Sequence, residues 1–490
     1  MTSSKSTKRA LITSALAILM CAAMLIGATF AWFTDTASTG VNKIVSGNLK
    51  VDIIGADSDS HIEKLNFTKA ATTDAEAGAE ILWEPGCRYL TEGFRIANKG
   101  NLALKWKAQV NTGTTAANEG NFDLLDVIDF YLVTKAADGT ETETALDEFT
   151  GNLKKTETSD VYYIKGVMQT TAGNDYQGLT LDGISITVVA TQDTVESDSF
   201  NNQYDKDAEY PILVTTGDEL QAIVSNATAP VNIVLTNSIT TNNFVIPADK
   251  DVTLDLNGCT VTNAESHTIL NKGHLTLTDS SADKSGQIIS LKGNTAALRN
   301  GDNAVCVVEG GTISRDGANG NTWHVVENFG KMTFNGGKVV LKNGNGFAIT
   351  NGWNYFDPGA STTHAVMEIN ALELDTDSSG IKNCRYGDLT VNDVTVTSTG
   401  YWALSNDYLG TAVINGGTLT SNSFKAVSNG AAMMVNGGTF DGTEGFVVQS
   451  YATSTVLNGG TFANMNVDVL ASYVGTGHTA QQSGTSVIIK

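Results

Sequence analysis

Basic residues are scarce in this chain: 30 Lys and Arg stand against 52 Asp and Glu, a formal net charge of −22. That argues against nucleic acid as a partner, because phosphate binding needs basic patches. Proline is rarer still, at 5 of 490 residues. The 6 histidines are scattered and include no HExxH pair, so no zinc site is expected. The 5 cysteines show no CxxC and no regular spacing. Cys87, Cys259, Cys306 and Cys384 therefore read as small apolar residues, neither a disulfide framework nor a metal site. Arginine is thin where a polysaccharide lyase would need its base, with Arg299, Arg315 and Arg385 alone in the second half. No wall-sorting motif or C-terminal membrane segment is visible, so attachment to a cell is expected to be indirect.

What is abundant is glycine, 49 residues, with many Thr, Asn, Ser and Val, a composition that suits an all-β protein rich in turns. One phrase recurs: hydrophobic, x, Asn, Gly, Gly, Thr, hydrophobic. It reads Thr333 to Val339, Val413 to Leu419, Met434 to Phe440 and Val456 to Phe462. Worn copies run Val307 to Ile313, Glu368 to Leu374 and Thr390 to Val396, and Asp255 to Val261 begins the series. With Asn as marker the last four steps are 22, 23, 21 and 22 residues. Such a period predicts a solenoid, because strands this short bury their apolar faces only by stacking unit on unit. A second row precedes the marker: Asn271, Asn300, Asn328, Asn383, Asn406 and Asn429, with Asn351 and Ser450 at looser spacing. Stacked Asn side chains bond along the axis, so these six are expected to form a structural ladder. The expectation is a right-handed parallel β-helix of nine or ten coils, a rod on the order of 45 Å. It resembles the pectate-lyase-like β-helices of bacterial surfaces.

Residues 1–31 read as a signal peptide. Lys5, Lys8 and Arg9 precede an apolar stretch from Leu11 to Ile26, and Ala28 and Ala31 place small residues before Trp32. Cleavage by a signal peptidase is expected between Ala31 and Trp32, giving a secreted, extracellular or surface-associated protein. Downstream, Asn48 to Ile54 alternates, Pro85-Gly86 is turn chemistry, and Phe94/Ile96 with Leu102/Leu104/Trp106 read as a hairpin around Asn98 to Asn101. Leu124 to Val133, Val161 to Val167 and Gly183 to Gln192 add strands, so an antiparallel jelly-roll-like sandwich is expected over 32–205.

Several of these stretches carry a resemblance. Leu25 to Asp35, Asn42-Lys43-Ile44-Val45-Ser46-Gly47-Asn48-Leu49, Trp83-Glu84-Pro85-Gly86 and Phe94 to Trp106 occur in the order found in the TasA/camelysin family. Those Gram-positive proteins are cut by a signal peptidase of the SipW type. The resemblance implies a biofilm-matrix role in which the segment from Trp32 onward adds as a strand to a neighbouring copy, giving fibres. It carries no zinc site across, and a protease activity is not expected.

The β-helix is expected over 206–490. An N-terminal cap at about 206–250 includes a helix at Gly217 to Val224, and a C-terminal cap spans about 467–490. The longest insertion holds Trp353, Tyr355, Phe356 and His364, aromatics suited to stacking on the sugar rings of cell-wall or host glycans. Trp323-His324 and Tyr401-Trp402 with Tyr408 extend it as an aromatic strip. Asp375 to Gly380 looks like half a calcium loop, but Tyr386 stands where the closing Glu belongs. No catalytic, metal or cofactor-binding residues are assigned. The leading expectation is a non-enzymatic surface or matrix protein; the alternatives are a glycan-binding adhesin and a polysaccharide lyase or hydrolase.

Overall fold

Strand pairing divides the chain after Asn48 into two architectures. The computed structural model describes residues 48–62, 65–68, 83–115, 122–146, 149–193, 209–353 and 363–490. The expected leader and its cleavage point at Ala31 and Trp32 lie outside the described residues.

The first architecture is an antiparallel half-barrel built from two sheets. In one, Tyr162–Met168 runs between Arg88–Thr91 and Ile128–Lys135. Val51–Gly55 pairs with Phe94–Asn98 at one end, and Glu141–Ala145 adds at the other. In the second sheet, Leu104–Thr115 lies between Leu181–Gln192 and Phe149–Leu153. Alternation drives the packing: Phe94, Ile96 and Ile164 from the first sheet meet Leu104, Trp106, Ala108 and Leu153 from the second, all buried. The Trp106 ring packs edge-on against Phe149 and Tyr162, with centroids 5.6 and 6.1 Å away.

The hairpin expected around Asn98 to Asn101 is not formed. Phe94–Asn98 and Leu104–Thr115 belong to different sheets, and the intervening residues carry the chain across the core. The physical reason is that both apolar faces, Phe94/Ile96 and Leu104/Trp106, are buried only by facing each other. The Asn98 side chain holds the crossing, accepting from Gly100 N at 2.9 Å and donating to Leu102 O at 2.7 Å. The strand expected from Leu124 begins at Ile128, because Asp123 caps a short 3-10 turn over Leu124–Asp126.

The second architecture is a parallel solenoid with three sheets, one strand per sheet per coil. The coil Asp251–Asp255, Thr260–Asn263, Ile269–Asn271 shows the plan. The next coil lies directly over it, with Val252 paired to Leu275, Val261 to Ile288 and Ile269 to Leu298. The apolar positions of each strand therefore form columns inside the tube, such as Leu254, Leu277, Val308, Phe334, Ile369 and Val391, each at most 1% exposed. Burying each such side chain contributes about 1.5–3 kcal/mol before chain entropy is subtracted. The Gly-Gly of the repeat marks the corner between first and second sheets. Gly417 has φ 97, and a Cβ on it would sit 2.6 Å from Val394 O.

Two rows of asparagine run along this tube. The inner row is wholly buried, and each Nδ2 donates to the Oδ1 one coil later: Asn271 to Asn300 (2.8 Å), Asn300 to Asn328 (2.8 Å), Asn328 to Asn351 (2.7 Å), Asn351 to Asn383 (2.8 Å), Asn383 to Asn406 (2.8 Å) and Asn406 to Asn429 (2.9 Å). Each also bonds a carbonyl of the next coil, as Asn383 does with Thr411 O at 3.0 Å. Asn351 is a full member of the row, whereas Asn429 is paired with Val448, so Ser450 stands outside it. The outer row is exposed and donates the other way, from later coil to earlier, as in Asn370 to Asn335 (2.9 Å) and Asn436 to Asn415 (2.8 Å). Asn257 lies off this row; Asp255 holds its place, opposite Thr278.

Both ends depart from the repeat. The helix Gly217–Asn226 starts at Thr216, whose hydroxyl accepts from Glu219 N at 3.2 Å, while Glu219 Oε2 accepts from Thr215 N at 2.9 Å. Its Leu220 and Val224 are fully buried in the solenoid core. A strand not expected from the sequence, Ile212–Val214, pairs parallel with Val231–Leu235. At the other end Ser486–Ile489 runs antiparallel to Gly460–Phe462 and to Ala480–Ser483. Its Val487 and Ile489 plug the core. Asn111 ties the half-barrel to the solenoid, donating to Thr236 O and Asn237 Oδ1, each at 2.6 Å.

Candidate functional site

Outward positions on the second solenoid sheet, such as Ser314, Asp375, Thr397 and Thr420, are half-buried, as an open sheet face dictates. The third sheet differs. Its outward row, in register, is Arg299, Glu327, Thr350, Lys382, Ser405 and Ser428. Of these, Glu327 is 4% exposed, Thr350 6%, Ser405 5% and Ser428 4%. These residues lie between two margins whose side chains cover them, as Trp323 does Glu327, Asp407 does Ser405 and Gln449 does Ser428. One margin is the corner from second to third sheet, with Trp323, His324, Tyr401, Trp402 and Phe424. The other is the corner from third to first sheet, with Phe329, Trp353, Tyr386, Tyr408 and Tyr451. The aromatic strip expected as one thus divides into two, on either side of the third sheet.

The insertion residues fall as follows. Trp353 is 9% exposed, its ring 4.4 Å from that of Phe329, and its Nε1 finds no partner among the described residues. His364 is exposed, with Nδ1 2.9 Å from Asp388 Oδ2 and its ring 5.6 Å from Tyr386. Tyr355 and Phe356 lie outside the described residues. Trp353 therefore works as packing for Phe329, whose other neighbour is the Arg299 guanidinium, 4.4 Å from its centroid.

The charges of Arg299, Lys382 and Lys425 on this face are met locally. Arg299 Nη1 lies 2.8 Å from Glu327 Oε2, and Trp323 Nε1 donates to Glu327 Oε1 at 2.8 Å. Lys382 pairs with Asp407 at 3.0 Å, and Ser405 Oγ donates to the same carboxylate at 2.9 Å. Lys425 pairs with Glu444 at 3.2 Å, and Gln449 donates to Ser428 Oγ at 2.9 Å. Burial holds the imidazoles of His267 and His324 below the ordinary histidine range, against the pull of Glu327. Burial likewise lowers the Arg315 guanidinium to about 10. That side chain closes the corner by donating to Lys292 O at 2.9 Å and Ser290 Oγ at 2.6 Å.

Sequence reasoning missed Phe329, Arg299, Glu327 and Lys382. Coils of unequal length hide that they lie in adjacent rows, and only the register reveals it. Asp375 and Asp377 of the half calcium loop are engaged elsewhere, with Lys342 at 2.8 Å and Asn343 N at 2.6 Å. Among the described residues no group of His, Cys, Asp or Glu is placed to hold a metal. Cys87, Cys259, Cys306 and Cys384 are free, and burial pushes the thiols of Cys306 and Cys384 up to about 12, too high for nucleophilic work.

The half-barrel has its own opening. A cavity of about 660 Å³ is lined by Phe67, Trp83, Phe130, Met168, Tyr176 and Leu181 among others. Beside it runs the strand Leu181–Gln192, which among the described residues pairs on one edge only. Since Asp193 N bonds Ala103 O, the alternate amides at Ile184, Ile186, Val188 and Ala190 point to the other edge. A comparison of the chain with protein-family models, with curated proteins and with solved structures finds no match.

Proposed function

We propose that this chain is a secreted, non-enzymatic surface or matrix protein. In this reading the half-barrel assembles copies and the solenoid is a displayed rod. The observation that carries the reading is the Leu181–Gln192 edge beside an apolar cavity. A strand adding there gains main-chain hydrogen bonds and a pocket for alternate side chains. The resemblance of Asn42 to Leu49, Trp83 to Gly86 and Phe94 to Trp106 to the TasA/camelysin family supports the same reading and supplies the donor. That donor is the segment beginning at Trp32, freed when a signal peptidase cuts after Ala31.

The test is electron microscopy of the chain beginning at Trp32, beside one with a few residues added before Trp32. Fibres are expected from the first alone. A Val188→Pro variant, which removes an edge amide, is expected to abolish them. Monodisperse particles from the Trp32 chain would overturn the assembly role.

A further inference from the structure

We infer that the third solenoid face binds a linear, uncharged polysaccharide of β-linked pyranose units, laid along the solenoid axis. The inference does not depend on how copies assemble.

The turns from third to first sheet after Asn300, Asn383 and Asn406 each put their third residue at positive φ: Asn303 at 62°, Tyr386 at 59° and Leu409 at 61°. Asn tolerates that conformation, whereas a bulky side chain pays roughly 1–2 kcal/mol. Gly387 and Gly410, which follow the last two, are fixed by the inner row, since a Cβ on Gly387 would sit 2.4 Å from Asn383 Oδ1 and one on Gly410 2.6 Å from Asn406 Oδ1. Tyr386 is held by the fold, since Arg385 Nη2 donates to its hydroxyl at 3.0 Å and its ring lies beside His364, whereas Leu409 stands 40% exposed on the same margin, where a ligand contact would offset its strain.

Exposed tyrosines flank the same face. Tyr408 is 48% exposed and Tyr451 57% on one margin, and Tyr401 is 58% exposed on the other. Tyr451 lies so close over Gly430 that a Cβ there would meet its ring at 2.6 Å. Its far face is left for a ligand. Aromatic rings beside hydroxyl and amide groups suit a sugar, whose C–H faces stack while its hydroxyls bond. The turns of Tyr408 and Tyr451 are two coils apart, about 9.6 Å at the parallel strand spacing. One coil is close to the length of one β-linked pyranose, so Tyr408, two residues past Asn406, and Tyr451, three past Val448, would meet sugars about a disaccharide apart.

Charge selects the class. Arg299, Lys382 and Lys425 each lie within 3.2 Å of a carboxylate. Arg385 on the margin has no carboxylate partner among the described residues and donates to the Tyr386 hydroxyl, but in a chain of net charge −22 that single cation leaves the face poorly suited to a polyanion.

Affinity electrophoresis tests the inference, using the chain with a few residues before Trp32, run through gels containing hydroxyethyl cellulose, glycol chitin or polygalacturonate. Retardation is expected in at least one neutral polymer and none in polygalacturonate. Tyr408→Ala and Tyr451→Ala should each weaken binding about tenfold, while Thr420→Ala on the second face leaves it unchanged. Migration unaffected by both neutral polymers would overturn the inference. So would equal retardation by polygalacturonate, or tyrosine variants that bind as the parent does.

Discussion

The half-barrel and the solenoid solve the same problem, burying the apolar faces of strands that are not stable alone, by opposite means. The half-barrel pairs residues distant in sequence, such as Phe94 with Tyr162, and fills its centre with aromatic rings at fixed angles. The solenoid pairs each strand with the one a coil later and fills its centre with columns of stacked side chains, aliphatic at most positions and with Phe244, Phe334, Phe440, Phe446 and Phe462 among them. Rings of unequal shape fit one way only. Most of the solenoid's core positions are interchangeable aliphatics: a one-residue slip of a coil would turn every apolar side chain outward, but a two-residue slip would keep the faces and cost less in burial. The inner asparagine row removes that freedom, because a slipped coil leaves buried amides and carbonyls without partners. One region is specified by shape and the other by hydrogen-bond register.

The largest expected effects come from attacking each device in turn. Trp106→Ala should cost about 3–5 kcal/mol, and Asn351→Ala, which removes the amide donor to Asn383 Oδ1 and Asp388 O and one acceptor of Asn328 Nδ2, about 3 kcal/mol. Hydrogen exchange read by mass spectrometry should place the first loss within 83–193. The second should fall in the coils flanking Asn351. If Asn351→Ala opened the whole chain uniformly, register would not be a local property of the solenoid.

Acid should separate the regions next. His267 and His324 have imidazole pKa values lowered by burial, so between the ordinary value and the lowered one the unfolded chain binds more protons than the folded one. Their contribution is complete above about pH 6.5 and is lost as pH falls toward the lowered values. Thermal melts at pH 7.5 and 5.5 should show the solenoid losing stability, and His324→Gln should shrink the difference. An unchanged pH response in that variant would contradict the assignment.

The smallest effect has the opposite sign. Leu409→Asn should raise stability by about 1 kcal/mol by relieving its positive φ. A destabilised variant in a denaturant titration would show that the leucine belongs to the fold.

The same contrast explains what the sequence disclosed. The solenoid was legible because Asn-Gly-Gly fixes a corner chemically, Gly417 being one place where nothing larger fits. The strands of the half-barrel were legible from alternation, but their partners were not. Alternation at Phe94/Ile96 and Leu104/Trp106 says which side is apolar, not whether the two strands lie side by side or face to face. The site was legible only in part: Trp353 and His364 stood out by composition, whereas Arg299, Phe329 and Lys382 gain meaning from coils of different length stacking in register. The positive φ of Tyr386 left no trace, since nothing in Cys384-Arg385-Tyr386-Gly387 resembles the Asp302-Asn303 that fills the same turn earlier.

The opposed directions of the two asparagine rows have an electrical consequence. Each side-chain amide is a dipole, and a row of them aligned head to tail would give the rod a positive and a negative pole, as a helix has. Here the buried row points its donors toward the C-terminal end and the exposed row points them back. The two fields oppose each other along the axis. Neither end of the rod acquires polarity from its asparagines, and any end-to-end attraction between copies must be written in the capping residues themselves.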